Sequence, residues 1–457
     1  MLADTVTPVS IYLKLRDEYR TPILLESSDY HGNEDAFSYI CCNPIASFTL
    51  TTDSLTREYP DGTSDEVPLE KGAVVKALSE FAASFTPTGK TFKFVNNGLF
   101  GYTAYPAVQH FEDLELSNLS SADEKIPLIQ YHVYEYVVAL DHFKNELYIF
   151  HHTIEESGTT AGLDRIATLI NDRNLPSYSF HRTGEEESNF TNEEFLKVIQ
   201  HGIDHCHRGD VFQIVLSRRF KTPFKGDEFN VYRALRSINP SPYLYYFDYG
   251  SFKIMGSSPE AQLVVRGREA SIYPIAGTFL RTGNDEADRA LAEKLMEDPK
   301  ENSEHVMLVD LARNDLSRHG DSVAVETFKE IQFFSHVIHL VSKVTGHLAE
   351  DVSSFQMVAD TFPAGTLSGA PKHMAMQLID KYENRSRGYY GGAIGYMGFN
   401  GDFNHAIMIR SFMSQAGTLH YQAGAGVVAK SKTENELQEV NNKLAALRQA
   451  LEMAETI

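Results

Sequence analysis

Short runs of β-branched and aromatic residues alternate with turn-forming residues over the first 170 or so positions of the chain. FSYICC, ASFTLTT and YHVYEYVVAL each predict a strand, and ELYIFHHT after the turn DHFKN predicts the hairpin partner of the last one. Residues 171–190 are polar and aperiodic, which is typical of a linker between domains. We therefore expect a β-rich N-terminal domain over residues 1–180 and a second domain over residues 190–457.

The second part of the chain alternates strands with long helices. Thr191 and Glu194 form a T-x-x-E capping box, which predicts a helix that begins there and runs through FLKVIQHGIDHCH. VFQIVLSRRF, YLYYFDYG, FKIMGSS and EASIYPI then predict strands. Because some of these strands follow one another directly, antiparallel pairing and an α+β fold are favoured over a parallel doubly wound sheet.

Two of the predicted helices carry a pair of glutamates three residues apart. The first begins at Pro299, and Glu301 and Glu304 share one of its faces. On the last helix, TENELQEVNNKLAALRQALEMAE, Glu436 and Glu439 lie about 90° from the centre of the apolar stripe, at the edge of the buried face. One such pair is usually a solvated surface. Two pairs flanking buried stripes suit Mg²⁺, which takes few carboxylates, several waters and a substrate oxygen.

Composition narrows the classes of function. The 457 residues carry a formal net charge of −21, which argues against a nucleic-acid partner or an anionic membrane surface. Three cysteines, Cys41, Cys42 and Cys206, are too few for a disulfide framework and fit a reducing compartment. We find no signal-peptide pattern and no run near the ~18 apolar residues of a membrane span, so we expect a cytoplasmic protein.

Three other patterns imitate binding motifs. His205, Cys206 and His207 are consecutive on a predicted helix, so their side chains point in different directions and cannot converge on one zinc ion. GAGVVA (424–429) matches a dinucleotide fingerprint, but no helix follows at once. GTLSGAPKH (365–373) lacks the Gly-Lys-Ser/Thr ending of a phosphate loop. Both segments still offer glycine backbone that a ligand can approach closely.

Several strings occur together and in order: SEHVMLVDLARNDLSR, HVIHLVSKV, GTLSGAPK, YYGGAIGY, QAGAGVVAKS and ELQEVNNK. Over roughly residues 190–455 they resemble the chorismate-utilising enzymes, and LLESS, NPSPY and PIAGT resemble the anthranilate synthase branch of that family. The resemblance implies antiparallel sheets packed as a sandwich with helices outside. It also implies that residues 1–180 are regulatory and that residues 190–457 bind chorismate and carry the catalysis.

The resemblance implies a role for each acidic pair. Glu304 and Glu439 are expected to ligate Mg²⁺ directly, with Glu301 and Glu436 reaching the ion through water. Arg410 is expected to hold a chorismate carboxylate, because its planar fork donates two parallel hydrogen bonds. The full set of expected substrate contacts is Gly277, Thr278, Tyr390, Arg410, Gly424, Ala425, Gly426 and Lys443.

His339 resembles the family histidine that moves protons at the ring. Its ordinary pKa near 6.5 suits both donation to a leaving hydroxyl and later acceptance of a ring proton. His336 would share its face of a strand but does not match the family position. Thr366 is expected to be a hydrogen-bonding partner near the reacting ring.

Two positions separate the branches of the family. Isochorismate- and salicylate-forming relatives carry a water-activating lysine where this chain has Gln213, and an amide is not a general base at neutral pH. Aminodeoxychorismate synthases carry a nucleophilic lysine in PIKGT, where this chain has Ala276. The resemblance therefore implies that ammonia itself adds at C2 and that loss of pyruvate gives anthranilate, the first step of tryptophan biosynthesis. An aminodeoxychorismate synthase and a non-catalytic binding relative are the alternatives.

Two partners follow from the resemblance. No cysteine lies on the strand–helix elbow of an amidotransferase, so a separate glutamine amidotransferase subunit is implied as the source of ammonia. Tryptophan is implied as a feedback inhibitor, although Ala36 stands where relatives often carry a basic residue. The residues expected to line its pocket are Leu25, Glu26, Ser27, Pro242, Tyr243 and Leu244.

Overall fold

The computed structural model describes residues 1–27, 36–70, 72–117, 125–154, 161–333 and 337–457, apart from the side chains of Thr278 and Lys300. Its helices are α1 (Pro8–Leu15), α2 (Ala73–Ala83), a 3₁₀ turn (Tyr105–His110), α3 (Ala161–Asn171), α4 (Asn192–Arg208), α5 (Phe229–Ile238), α6 (Asp285–Glu297), α7 (Pro299–Leu316), α8 (Ser354–Thr361), α9 (Gly365–Ser368), α10 (Lys372–Tyr382) and α11 (Thr433–Ala454).

The strands are β1 (Ile23–Glu26), β2 (Phe37–Leu50), β3 (Leu55–Glu58), β4 (Ser64–Val67), β5 (Gly98–Thr103), β6 (Ile129–Asp141), β7 (Glu146–His151), β8 (Phe180–Arg182), β9 (Glu187–Ser188), β10 (Gln213–Gly226), β11 (Tyr243–Asp248), β12 (Phe252–Ser258), β13 (Ala261–Arg266), β14 (Glu269–Ile272), β15 (Ile275–Leu280), β16 (Gly320–Phe333), β17 (Val337–Leu348), β18 (Gly369–Ala370), β19 (Ala393–Gly398), β20 (Phe403–Ile407), β21 (Ser411–Gln415) and β22 (Thr418–Val428). Every pairing among these strands is antiparallel, which confirms the predicted α+β class.

The strands form two layers that face each other, with helices on the outside. The side chains of β2 alternate between two cores: Tyr39 and Cys41 lie in a cluster built only from strands and their connecting loops. Ile40 and Cys42 lie in a cluster shared with α1, α4, α5 and α11. Because successive strand residues point to opposite faces, one face packs on another sheet and the other under helices. The predicted sandwich is confirmed.

Two predictions about segments were wrong in detail. FSYICC and most of ASFTLTT belong to one continuous strand, β2, because a bulge between Pro44 and Ala46 shifts the register without ending the pairing with β6. The predicted linker contains β8 and β9, which pair with β10. These strands are short, and their mostly exposed polar side chains give no alternating pattern.

Strands of the two predicted domains hydrogen-bond to each other. β1 pairs with β11, and β5 pairs with β19, so residues 1–180 and 190–457 share one sheet system. The boundary between the two domains therefore stays a prediction. The capping box of Thr191 and Glu194 is confirmed at the start of α4. In the part of the chain that the structure describes, no helix is long and apolar enough to cross a membrane.

Candidate active site

A bulge in β15 places His339 against Gly277. The register of β15 and β17 shifts between Ala276 and Thr278, and Gly277 adopts φ +67° at this point. A Cβ there would lie 2.5 Å from Leu295 Cδ1, and the positive φ would strain any other residue, so glycine is favoured. The Nδ1 atom of His339 lies 2.9 Å from the Gly277 carbonyl oxygen. Because a carbonyl only accepts, Nδ1 carries the ring proton and Nε2 is the basic nitrogen.

His339 is poised to be neutral. It is 5% exposed, and this burial lowers its pKa, with the hydrogen bond to Gly277 opposing the shift and the nearby charge of Arg410 adding to it. At neutral pH the imidazole is therefore mostly unprotonated. It is better suited to accept a proton than to donate one.

Arg410 places its positively charged guanidinium group near His339. Its φ of +50° is rare for a residue other than glycine and is typical of functional sites. Burial lowers its pKa, which the neighbouring Glu260 carboxylate opposes. Within the described residues, no group hydrogen-bonds to its guanidinium. A partly buried guanidinium without a hydrogen-bonding partner is a ready site for a carboxylate of a ligand.

Glu260 is a site residue that the sequence analysis missed. Its Oε1 atom accepts a hydrogen bond of 2.9 Å from the Thr366 hydroxyl. Burial raises its pKa to about 7, against the opposing effects of Thr366, Arg410 and Lys443. A carboxyl group with this pKa is partly protonated at neutral pH and can donate a proton. Glu260 is a lone acidic residue after a strand, so neither spacing nor periodicity marks it.

The first acidic pair borders β10 and β15. Glu304 on α7 accepts a hydrogen bond of 2.9 Å from the side-chain amide of Gln213, the first residue of β10. Glu301 lies near the bulge, with its Oε2 atom 3.3 Å from where a Cβ on Gly277 would be. Ala276 is buried and pairs with Leu340 beside this bulge.

The second acidic pair borders β22. Glu439 on α11 forms an ion pair of 2.7 Å with Lys443, whose ammonium also donates to the Gly424 carbonyl at 2.9 Å. Glu436 is buried on the same helix, whereas 44% of the Glu439 side-chain surface is exposed. This agrees with the predicted position of the pair at the edge of the buried face.

The glycines of β22 allow close packing at the site. A Cβ on Gly424 would lie 3.2 Å from the Tyr390 hydroxyl, and one on Gly426 would lie 2.6 Å from the Gln213 amide nitrogen. The Ala425 side chain lies in the helix-covered core, so only its backbone faces the side of the glycines. The side chain of Thr278 and all of His336 lie outside the described residues.

The four glutamates offer hard oxygen donors, but they are not gathered around one point. Among the described residues, no group of three or more His, Cys, Asp or Glu side chains is arranged to hold a metal ion. The two expected direct ligands, Glu304 and Glu439, are held by an amide and an ammonium group. This donor set fits Mg²⁺ chemically, since Mg²⁺ is usually bound by one or two carboxylates with water and substrate oxygens.

A buried ion pair lies next to Tyr390, and the sequence did not reveal it. Arg387 donates to both carboxylate oxygens of Glu383, at 2.9 and 2.6 Å, and the two side chains are 1% and 4% exposed. Arg387 also donates to the carbonyls of Val215 and Leu367. Its guanidinium carbon lies 5.8 Å from the Tyr390 ring centroid. The pair therefore ties together β10, α9 and the Tyr390 turn.

A cavity of about 740 Å³, which we call the second cavity, lies beside the candidate active site and is lined by other residues. All six residues expected to contact an inhibitor line it, together with Ala36 and the cationic side chains of Arg266 and Lys343. Pro259 and Ile275, which precede Glu260 and Ala276 along the chain, also form part of its wall. The cavity and the candidate active site therefore share strands.

The carboxylate of Glu26 already has partners inside the chain. Arg236 donates to both of its oxygens at 2.8 and 2.9 Å, and the Tyr232 hydroxyl donates to Oε1 at 2.6 Å. Arg236 and Tyr232 therefore take up part of the hydrogen-bonding capacity of Glu26, and a contact between Glu26 and a ligand ammonium group stays a prediction. Ser27, Ser271 and Glu269 are further acceptors in the cavity wall.

Comparison with known proteins shows the family of this chain. The profile of the family described as chorismate binding enzyme matches residues 21–449. Anthranilate synthase component 1 of Aquifex aeolicus is 39% identical over 482 residues, which cover 100% of this chain and 94% of that protein. The Thermus thermophilus protein of the same name is 37% identical over 461 residues, covering 99% and 97%.

Solved structures give the same result. The crystal structure of anthranilate synthase component I from Streptococcus pneumoniae superposes with a TM-score of 0.80 at 29% identity, covering 98% of this chain and 99% of that one. The menaquinone-specific isochorismate synthase of Escherichia coli shares the fold, with a TM-score of 0.72 at 20% identity, covering 96% and 91%. The chain belongs to the chorismate-binding enzyme family.

Proposed function

We propose that this chain is the chorismate-aminating component of an anthranilate synthase. Ammonia bonds to C2 of chorismate as the double bonds shift and the C4–O bond breaks. The nitrogen sheds one proton and the leaving hydroxyl takes one, so water departs. In the second step C2 loses its proton and the C3–O bond breaks. The enolpyruvyl carbon is protonated, which releases pyruvate and leaves anthranilate.

Glu260 and His339 divide the proton transfers. Glu260, with its pKa raised to about 7, donates to the leaving C4 hydroxyl. His339, with its pKa lowered and its Nδ1 proton held by Gly277, accepts a proton through Nε2. The sequence analysis assigned both donation and acceptance to His339, and the environment of Glu260 favours splitting them. Arg410, which affects both pKa values, holds a substrate carboxylate between them.

One observation carries the choice of nucleophile. The chain has the acid Glu260 and the base His339, but the two positions that separate the branches of the family carry neither a nucleophile nor a base. Ala276 has no amine, which disfavours covalent attack as in aminodeoxychorismate synthases. Gln213 has no basic group, which disfavours activation of water. Ammonia, the remaining nucleophile, can approach past the small side chain of Ala276. The names of the relatives at 37–39% identity support this assignment.

Mg²⁺ is part of the proposal. Glu304 and Glu439 would hold it directly, with Glu301 and Glu436 through water. When bound, it would neutralise and orient a chorismate carboxylate. Gln213 and Lys443 each bond to one of the two direct ligands and orient it, and the remaining lone pairs of each carboxylate would be open to the ion.

A separate glutamine amidotransferase subunit supplies the ammonia. Cys41, Cys42 and Cys206 are all buried, and burial raises the pKa of each thiol, that of Cys206 to about 11. A nucleophilic cysteine needs a lowered pKa and access to substrate. The buried, unpaired thiols also fit a cytoplasmic location.

Tryptophan binds in the cavity lined by Ser27, Pro242 and Leu244. Its indole packs against Pro242 and Leu244, and its ammonium group is hydrogen-bonded by Ser27 and backbone carbonyls. A cation for the carboxylate, which Ala36 does not provide, comes from Arg266 or Lys343 in the cavity wall.

The test is the dependence of anthranilate fluorescence on the nitrogen donor. Purified chain with chorismate, Mg²⁺ and ammonium chloride at mildly alkaline pH is expected to form anthranilate, and glutamine alone is expected to give none. Chelation of Mg²⁺, or Glu304→Gln, is expected to abolish the signal. Glutamine hydrolysis by the homogeneous chain would contradict the division between subunits. Full activity of Glu304→Gln at limiting Mg²⁺ would contradict the metal assignment.

A further inference from the structure

The side-chain amide of Gln213 has a fixed orientation. One of its ends lies 2.9 Å from the Glu304 carboxylate, which can only accept hydrogen bonds while it is ionised. The NH₂ group must therefore face Glu304, and the carbonyl oxygen Oε1 must face away from it.

The Oε1 atom of Gln213 lacks a donor. Gln213 is 3% exposed, and no donor among the described residues reaches this oxygen. Buried carbonyl oxygens are nearly always hydrogen-bonded in folded proteins, so an unpaired one calls for an explanation. The chain also keeps space for this amide, because Gly426 opposite it has no Cβ that would come within 2.6 Å of Nε2.

We propose that Gln213 Oε1 accepts an N–H of the attacking ammonia molecule. This inference rests on the proposed function. An acceptor that binds one N–H directs the nitrogen lone pair away from itself and toward the ring carbon. The amide cannot remove a proton from water, so it holds water without activating it. A lysine ammonium at this position would instead donate to the lone pair and mask it.

Two substitutions separate the oxygen's role from the support of Glu304. Gln213→Met removes both the donor and the acceptor, while Gln213→Lys keeps a donor toward Glu304 and removes the acceptor. Both are expected to raise the KM for ammonia roughly tenfold, as the loss of one hydrogen bond does. The Kd for chorismate, titrated with Mg²⁺ and without ammonia, is expected to change less than about threefold.

Gln262 offers a matched control. It is also a buried glutamine whose Oε1 has no donor among the described residues, but its amide nitrogen bonds to Thr361. Gln262→Met is expected to leave the KM for ammonia unchanged. Gly426→Ala, which displaces the Gln213 amide, is expected to raise it. Thermal unfolding of every variant identifies those that fail to fold.

Two results would overturn the inference in distinguishable ways. If wild-type chain forms anthranilate and the folded Gln213 variants lose kcat with the KM for ammonia unchanged, Gln213 acts only through Glu304. If the wild-type chain makes no anthranilate from chorismate, Mg²⁺ and ammonium, the proposed function fails and the inference fails with it.

Discussion

Glu260 and His339 are shifted in opposite directions by the same physical cause. Desolvation disfavours the charged form of each group, so it raises the pKa of the carboxyl and lowers that of the imidazole. The result is an acid that keeps its proton near neutral pH and a base that lacks one. The proposed proton transfers need this pair in these states, although burial of both groups costs stability.

Glu260→Gln is expected to separate activity from stability. In the wild-type chain the pKa of the Glu260 carboxyl rises from 4.5 to about 7 on folding. The folded wild-type chain therefore loses stability as the pH rises from 4.5 to 7. The side chain created by Glu260→Gln does not ionise, so the substitution removes this pH-dependent loss of stability. The difference in the free energy of unfolding between the variant and the wild-type chain should therefore be about 1–3 kcal/mol more favourable to the variant at pH 8 than at pH 4.5. The kcat of the variant should fall roughly 10²–10⁴-fold. Urea unfolding at both pH values measures the difference.

An exposed glutamate provides the control for that experiment. Glu297→Gln on α6 is expected to change neither kcat nor the pH dependence of unfolding. A Glu260→Gln variant with the same pH dependence as the wild-type chain would show that the Glu260 carboxyl is ionised normally.

His339→Ala is expected to lower kcat by about 10²–10⁴-fold, the usual contribution of a positioned acid or base. Since His339 must be neutral to act, the acid limb of the wild-type kcat profile at saturating ammonia should lie below pH 6.5, where the imidazole with its lowered pKa becomes protonated. Loss of the Glu260 proton should give a separate alkaline limb. The His339→Ala variant should lose the acid limb. A loss of less than tenfold across the pH range would assign His339 a structural role.

The sequence predicted residues that a local pattern or the family resemblance marks. His339, Glu304, Glu436 and Glu439 lie in the ordered strings, Glu301 shares a helix face with Glu304, and Arg410 follows from the resemblance. Glu260 was missed because its function depends on its burial beside Thr366, which only the folded chain creates. The sequence also did not reveal that Glu26 is paired with Arg236, since the two are far apart along the chain.

At the scale of elements, the site is held by contacts that cross between them. Glu383, just after α10, accepts hydrogen bonds from the backbone and side chain of Ser217 on β10. Ser217 pairs in turn with Gly424 on β22. Arg387 completes this network by reaching Leu367, the neighbour of Thr366. The ion pair of Glu383 and Arg387 therefore supports three segments of the candidate active site, namely β10, β22 and the turn of α9 that carries Thr366.

Glu383→Gln is expected to destabilise the chain by about 3–5 kcal/mol, because it leaves the Arg387 charge buried without its counter-ion. Chemical denaturation measures the change. The exposed ion pair of Asp310 and Arg313 supplies the control, and Asp310→Asn is expected to cost at most about 1 kcal/mol. Equal effects of the two substitutions would contradict the supporting role of the buried pair.

Elements with a strong pattern were predicted well and weakly patterned ones poorly. The hairpin of β6 and β7 and the cap of α4 were confirmed, since each follows from local sequence. The continuity of β2 and the pairing of β8 and β9 with β10 depend on partners distant in the chain. A bulge or a short edge strand leaves little trace in the sequence.

At the scale of the whole molecule, one sheet system carries both the candidate active site and the second cavity. Pro259 and Ile275 line the cavity, and the next residues along the chain, Glu260 and Ala276, belong to the active site. Gln332 also lines the cavity and pairs with His339. A ligand that moves these strands would change the affinity for chorismate.

Tryptophan and chorismate are therefore expected to weaken each other's binding by the same factor, because coupling between two sites is reciprocal. Calorimetric titration of each ligand with and without the other measures both factors. Pro242→Glu, which places a carboxylate beside the indole at a partly exposed position of the cavity wall, is expected to abolish the heat of tryptophan binding and leave chorismate binding intact. Absence of heat at millimolar tryptophan in the wild-type chain would contradict the inhibitor site.

The central claim is that free ammonia adds at C2 because Ala276 provides no nucleophile. The most direct measurement is the identity of the product that the purified chain forms from chorismate, Mg²⁺ and nitrogen-15 ammonium, resolved by chromatography and mass spectrometry. We predict labelled anthranilate together with pyruvate. Aminodeoxychorismate, isochorismate or unchanged chorismate as the only species recovered would contradict the account.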